Sequence, residues 1–563
     1  MSAQIPQNES RLARQGGLQL RGRFVPLVVL LAILGCRAKD DGPAASPAEV
    51  LPGMGSVHHR IVTANPNAQR FFDQGLALVY AFNFGEAIIS FRRAAELDPN
   101  SPMPYWGIAL ALRPNYNSSK VGPDREQEGF DAIQTAVGLA RGASEPERAY
   151  IDALACDFSD DPEADLTKLN HEYANAMREV YHRYPDDSDA AVLFVASLMN
   201  MNAWHLWKID GQPGPDTLEL VAVLEDALRR WPEHTGANHL YIHAMEASPY
   251  PERALPSAHR LPALAPAAGH LVHMASHIYF RTGDFAAAVK SNQDGVEADQ
   301  RYQRTHRVAP SGVLGYANHN LHFLAVAATM DGEYETARDA AKRLLDGHSH
   351  SENGHLHSGA SLVLPMLVRM RFAHWDEIIA LPAPDPQFDG LVAFWHFARG
   401  CALASRHRLK EAEDERRATE QAFSRLTPGR AFGMYFNDWS TLQSLAADTL
   451  AARIAAANGN SGVELSRWRA AVATQDQMNF DDLPDWYYPV RESLGAALLR
   501  AGQPQDAENV FREDLRRTPR NPRSLFGLCK ALQVEKRDYE AGLVRQAFDR
   551  AWKGKGPPRI EDF

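Results

Sequence analysis

A spacing of 34 residues constrains this chain more than any other feature. His239 and His243 recur 34 positions on as His273 and His277, and Ile378 is followed at the same interval by Ala412. A third pair, His319 and His322, repeats His270 and His273 at 49 positions, which is one period plus an insertion of 15. A fixed period in this range marks supersecondary units that cannot bury their apolar faces alone. Such units stack in one dimension, each against its neighbours.

The residues inside each period say which unit it is. From Phe71 to Pro99, small or apolar residues stand at Gly75, Leu78, Ala87 and Ala94, an aromatic at Phe91 and a closing proline at Pro99. Leu494, Gly495, Leu498, Ala507, Phe511 and Pro519 repeat the pattern. This is the tetratricopeptide (TPR) pattern of paired helices. Looser copies carry Ala254 and Pro266, then Ser276, Tyr279 and the Gly283-Asp284-Phe285 turn, then Ala325 and the Gly332-Glu333-Tyr334 turn. Amphipathic segments near 123–141, 165–184, 186–201, 215–231, 430–457 and 464–476 fill the gaps, and strand signals are nearly absent. The expected fold is an all-α, TPR-type helical-repeat solenoid. Its N-terminal repeats span 57–230, its central repeats 231–345 and its C-terminal repeats 360–563. Two inserts, 298–317 and the His-rich loop 346–359 (His348, His350, His355, His357), are expected to be long loops.

The N-terminus reads as a targeting segment. Arginines 11, 14, 21 and 23 precede an apolar run, Val25 to Leu34, too short to span a bilayer. The ending Ile33-Leu34-Gly35-Cys36 resembles a bacterial lipobox. That implies a signal peptide over 1–35, lipidation of Cys36 and a flexible tether over 36–56. The expected location is periplasmic or cell-surface, most simply the outer membrane, with the membrane touched only through the lipid. Of 563 residues 45% are hydrophobic and 23% charged, which excludes disorder as the dominant state. A net charge of −11 without a basic stripe argues against nucleic acid. Cys156, Cys401 and Cys529 are far apart and read as buried small residues, with no disulfide framework.

The chemistry lies in three helix-like phrases: H-L-Y-I-H-A-M-E (His239, His243, Glu246), H-L-V-H-M-A-S-H (His270, His273, His277) and H-N-L-H (His319, His322). Spacings of three, four and seven put each set on one helix face. That face lies roughly 130° round from the packing positions, on the wall of the concave groove. Neighbouring helices sit about 8–10 Å apart, and metal–nitrogen bonds are about 2.0–2.1 Å, so imidazoles from adjacent helices can meet at one ion. Eight candidates are too many for one ion, which leaves two ions or some residues in supporting roles. Imidazole-rich sites without thiolate suit copper or zinc, with iron less suited. One glutamate among seven histidines disfavours carboxylate-bridged iron, magnesium and calcium. Glu246 stays open between ligand, general base and acceptor for a ring N–H. No H-E-x-x-H, G-x-S-x-G or phosphate-binding loop is present.

The chain resembles a large bacterial family of exported TPR proteins over nearly all of 56–553. F-D-Q-G-L-A-L-V-Y-A-F-N-F-G-E-A, G-A-N-H-L-Y-I-H-A-M-E-A-S, A-G-H-L-V-H-M-A-S-H-I-Y, N-H-N-L-H-F-L and D-W-Y-Y-P-V-R-E-S-L-G carry the likeness. It implies the fold and export but no activity. Related chains often carry His where this one has Phe84 and within Arg113-Pro114-Asn115-Tyr116-Asn117.

Two functions follow as expectations. One is a metal-dependent enzyme acting on a small organic or peptidic ligand in the groove, oxidative with copper, or hydrolytic with zinc and Glu246 as base. The other is a non-enzymatic scaffold for peptides or envelope protein partners.

Overall fold

The small residues of the repeat are spaced so that a single aromatic ring locks two helix pairs together. Phe91 is fully buried between Gly75, 16 residues before it, and Gly107, 16 after. A Cβ at either glycine would stand 2.5 Å from the ring. Phe511 repeats this between Gly495 and Gly527, where a Cβ would come to 2.5 and 2.2 Å. Glycine at these positions is therefore demanded by close approach, and the aromatic fills the space it leaves.

The computed structural model describes residues 49–118, 121–161, 163–305, 311–348, 359–427, 437–482, 484–486 and 488–563. Among them are twenty-four α-helices and no β-strand, only two isolated bridges. Consecutive helices pack as antiparallel pairs, from Pro66–Tyr80 with Phe84–Leu97 to Pro522–Val534 with Asp538–Ala551. The amphipathic segments form helices, including Pro123–Leu139, Leu166–Arg183, Ser188–Met201, Thr217–Arg230, Trp439–Ala457 and Ser461–Gln475. The fold is an all-α TPR-type solenoid. No helix among the described residues is long and apolar enough to cross a membrane.

The turns of the coil touch. Tyr302 donates its hydroxyl to Glu86, Asn117 donates to the Tyr316 hydroxyl at 3.1 Å, and Ala267 N–H donates to Gly53 O at 3.0 Å. From the other end, Lys553 N–H donates to Asp331 O at 2.9 Å, and Arg371 pairs with Glu492. Two large apolar clusters result, one between Met54 and Tyr302 and one between Ala288 and Ala541. They meet along the central helices that carry the histidines.

Three expectations need correction. The groove wall bearing the histidines is covered, because the first repeats fold back onto it. The 298–317 insert is not a long loop: it extends Phe285–Thr305 and Ser311–Asp331 to 21 residues each, which carries Tyr302 and Tyr316 to the N-terminal repeats. The end of the expected tether is packed, with Met54 in the core and Leu51 N–H on Gln74 Oε1 at 2.6 Å. Cys401 and Cys529 are buried as expected, while Cys156, capping Glu145–Ala155, is partly exposed. The signal segment, Cys36, His306 and loop residues His350, His355 and His357 lie outside the described residues.

Candidate metal centre

Three helices present the histidines. Thr235–Glu246 starts on His234, whose Nδ1 accepts from Ala237 N–H, and it is buried on every side. It lies close to the first repeat because Gly236 faces the Tyr80 ring, where a Cβ would come to 2.6 Å. Gly269–Thr282 packs on Phe285–Thr305 through a second close approach: a Cβ at Gly295 would meet Gly269 O at 2.9 Å. Ser311–Asp331 supplies the third set.

The side chains sort into two groups. One nitrogen each from His239, His243 and His270 lie within 4.8 Å of one another, and so do those of His273, His277 and His319. Both groups are able to hold a metal ion. The groups adjoin, with ring centroids 5.9 Å apart for His243 and His277 and for His270 and His273.

Hydrogen bonding sets the proton on most of these rings. His239 Nδ1–H donates to the backbone carbonyl of Tyr80 at 2.7 Å. His243 and His277 place Nδ1 on the two oxygens of Glu246, at 2.8 and 2.5 Å. His273 Nδ1 faces Asn292 Oδ1 at 2.6 Å, and the Asn292 amide is oriented by donating Nδ2–H to Ala288 O. With the proton held on Nδ1, each Nε2 presents a lone pair. His239 Nε2, His243 Nε2 and both nitrogens of His270 are buried without a hydrogen-bond partner. Leaving such atoms unsatisfied costs about 1–3 kcal/mol each.

In the second group, His273 Nε2 and His277 Nε2 stand 2.9 Å apart. When both rings are neutral with the proton on Nδ1, both are acceptors; when His277 is protonated, the form Glu246 favours, its Nε2–H donates to His273 Nε2. Two nitrogens bound at right angles to one ion at about 2.05 Å would be about 2.9 Å apart. The convergence suits a shared proton or a shared metal cation.

Electrostatics agree with the ligand form. Burial, and then neighbouring imidazoles, push His239, His270, His273 and His319 well below the ordinary histidine range. Burial also lowers His243. In His277 burial is outweighed by Glu246, and the pKa rises. Burial would raise Glu246, but His277 and His243 hold it at about 2. Neutral imidazole is the form that binds metal.

Aromatic rings wall both groups. Phe82 packs on His239, His243 and His270 at 4.4, 5.7 and 5.8 Å. Phe323 packs on His277, His273 and His319 at 4.7, 5.1 and 5.9 Å. Tyr116 and Trp204 cover His243, and Tyr316 lies 4.1 Å from His270. Phe84 stacks on Phe82 at 5.7 Å. Phe82 has φ 55°, at the turn position that is Gly283 and Gly332 in other repeats. A phenylalanine there costs roughly 1–2 kcal/mol of backbone strain.

Of the eight candidates, six form the two groups. Glu246 has both oxygens on ring Nδ1 atoms, the acceptor role of the three left open. His322 is partly exposed and stands outside the two groups of three, near enough to His319 for its charge to lower that ring; Phe323, four residues after His319, packs against His273 and His277. Sequence reasoning missed the Tyr80 carbonyl, Asn292, Phe82, Tyr316 and Asp482, whose Oδ2 is 3.4 Å from His319 Nε2. The turn alignment of Phe82 with Gly283 was the one legible signal among them. His59, Asp187 and Asp189 form a further acidic cluster, in which Asp189 is already engaged by His59, His234 and Tyr80.

No family model and no curated protein matches the chain. Among solved structures it is similar to the APC/C hetero-tetramer Cut9–Hcn1, at 10% identity over 83% of this chain and 76% of that one, TM-score 0.31. It is also similar to yeast Tom70, at 10% identity over 86% and 90%, TM-score 0.29. A human IFIT1 dimer with m7Gppp-AAAA matches at 11% identity over 80% and 90%, TM-score 0.31. These are likenesses of helical chains alone.

Proposed function

We propose that this chain is an exported TPR metalloprotein whose six clustered histidines, five buried and His319 partly so, hold two transition-metal ions, one in each group. The observation that carries this reading is the set of buried ring nitrogens without a hydrogen-bond partner on His239, His243 and His270, beside a second group of three imidazoles whose nitrogens lie within 4.8 Å of one another. Copper is preferred over zinc. Six imidazoles without thiolate suit copper, and zinc-dependent hydrolysis lacks its base, because Glu246 is spent on His243 and His277. With copper the centre would serve oxidation of a small organic substrate, dioxygen being the oxidant. The covered groove disfavours an extended peptide running over the histidines. The targeting segment and Cys36 support export and lipid anchoring.

Elemental analysis of the mature protein tests this directly. Two copper ions per chain are expected, falling to one in His239→Ala and in His273→Ala. Less than one transition-metal ion per wild-type chain after copper loading would overturn the reading.

A further inference from the structure

A cavity adjoins the histidine centre on the side of the C-terminal repeats. It has a volume of about 200 Å³ and is bounded by Phe280, Arg281, Phe480, Asp482, Trp486 and Arg491. Three of these residues lead to the metal centre within one contact. Asp482 lies on His319. Phe280 meets Phe323 edge-on at 5.9 Å, and Phe323 packs on three histidines of the second group. Arg281 donates Nε–H to the backbone oxygen of Glu246 at 2.8 Å.

The charged groups of this cavity are engaged unequally, and its carboxylate Asp482 faces His319. Arg491 is paired with Asp476, and Arg517 with Asp476 and Glu513. Asp514 is pushed to about 7 by burial and by Glu492, and accepts from Ser524 and Asn521. Arg281 binds two backbone carbonyls, Glu246 O and Ser248 O, and sits over the Phe480 ring at 5.5 Å. Among the described residues no carboxylate is paired with it. Two carbonyls hold a guanidinium in place without neutralising it, and its planar fork suits a carboxylate. The remaining wall is aromatic. A cavity of roughly 150 Å³ accommodates benzene, so the space here admits one ring with a small substituent.

We propose that this cavity is the substrate cavity of the histidine centre and takes a small aromatic carboxylate. Its carboxylate pairs with Arg281 and its ring lies against Phe280, Phe480 and Trp486. The assignment to substrate rests on the two-metal reading above.

The test is calorimetric titration of the full mature protein, metal-free and copper-loaded, with benzoate and with neutral benzamide. Benzoate should bind at least tenfold more tightly than benzamide. Arg281→Met should weaken benzoate at least tenfold and leave benzamide unchanged, while Arg281→Lys, which keeps the charge but not the planar fork, should weaken benzoate by less. Phe480→Ala, which leaves the arginine in place, should weaken both ligands. Benzoate should also shift the visible spectrum of the copper(II)-loaded wild type. Equal binding of the two ligands, or benzoate binding indifferent to Arg281→Met and Arg281→Lys, overturns the cavity assignment, whatever the metal content. Arg281-dependent benzoate binding to a protein that takes up no metal overturns the metal reading and with it the substrate role.

Discussion

Replacing Glu246 with glutamine removes a charge and exchanges one acceptor for a donor between the two histidine groups. The carboxylate accepts from His243 Nδ1–H and His277 Nδ1–H, and it is 1% exposed, so water cannot substitute. The glutamine carbonyl can keep one of these bonds. Its NH₂ meets the other ring as donor against donor. That ring must move its proton to Nε2 and so loses the lone pair that would bind metal. Hydrogen bonds to charged groups are worth about 1.5–3 kcal/mol, and losing the partner behind a metal-binding imidazole typically costs 10–100-fold in affinity. At about 1.4 kcal/mol per decade the two figures agree. Competition with a chromophoric chelator should show one copper of Glu246→Gln weakened about 10–100-fold and the other nearly unchanged. Glu246→Ala should weaken both. Wild-type affinity for both ions in Glu246→Gln would refute the supporting role.

Phe82→Gly relieves the left-handed strain at φ 55°, worth about 1–2 kcal/mol, but removes a buried ring worth about 3–5. Calorimetry should show a net loss of about 1–4 kcal/mol, and copper release to EDTA should quicken at one ion only; unchanged release would remove the role given to Phe82. Glu492→Ala strands Arg371 in the core and should cost about 3–5 kcal/mol in chemical denaturation, with metal content unaffected. The metal-free protein should lose stability in acid. Burial depresses His239, His270, His273 and His319. Their contribution is therefore present above the unfolded pKa near 6.5 and lost as pH falls below it, by about 1.4 kcal/mol per pH unit for each imidazole. Glu246, held at about 2, adds stability present above its unfolded value near 4.5 and lost as pH falls through about 2. Denaturation midpoints flat between pH 7 and 5 would contradict the buried neutral imidazoles.

The helix pairs were legible from local chemistry. Gly75, Phe91 and Gly107 specify how neighbouring helices pack, and i, i+3 and i+4 spacing places imidazoles on common faces whatever the rest of the chain does. Helix geometry needs only near neighbours, so period, helix identity and the histidine set can all be read in one dimension. The grouping could not. Whether His239 joins His243 and His270, whether His319 rather than His322 meets His273, and whether Glu246 faces metal or rings depend on how turns of the coil press together. That is set by Tyr302 on Glu86, Tyr316 beside Asn117, and Asp482 on His319, contacts between residues far apart in sequence. The spacing alone implied an open groove. Burial by those distant contacts turned it into an enclosed pair of three-histidine groups, because only the coiled chain brings aromatic rings over the imidazoles and takes water from them.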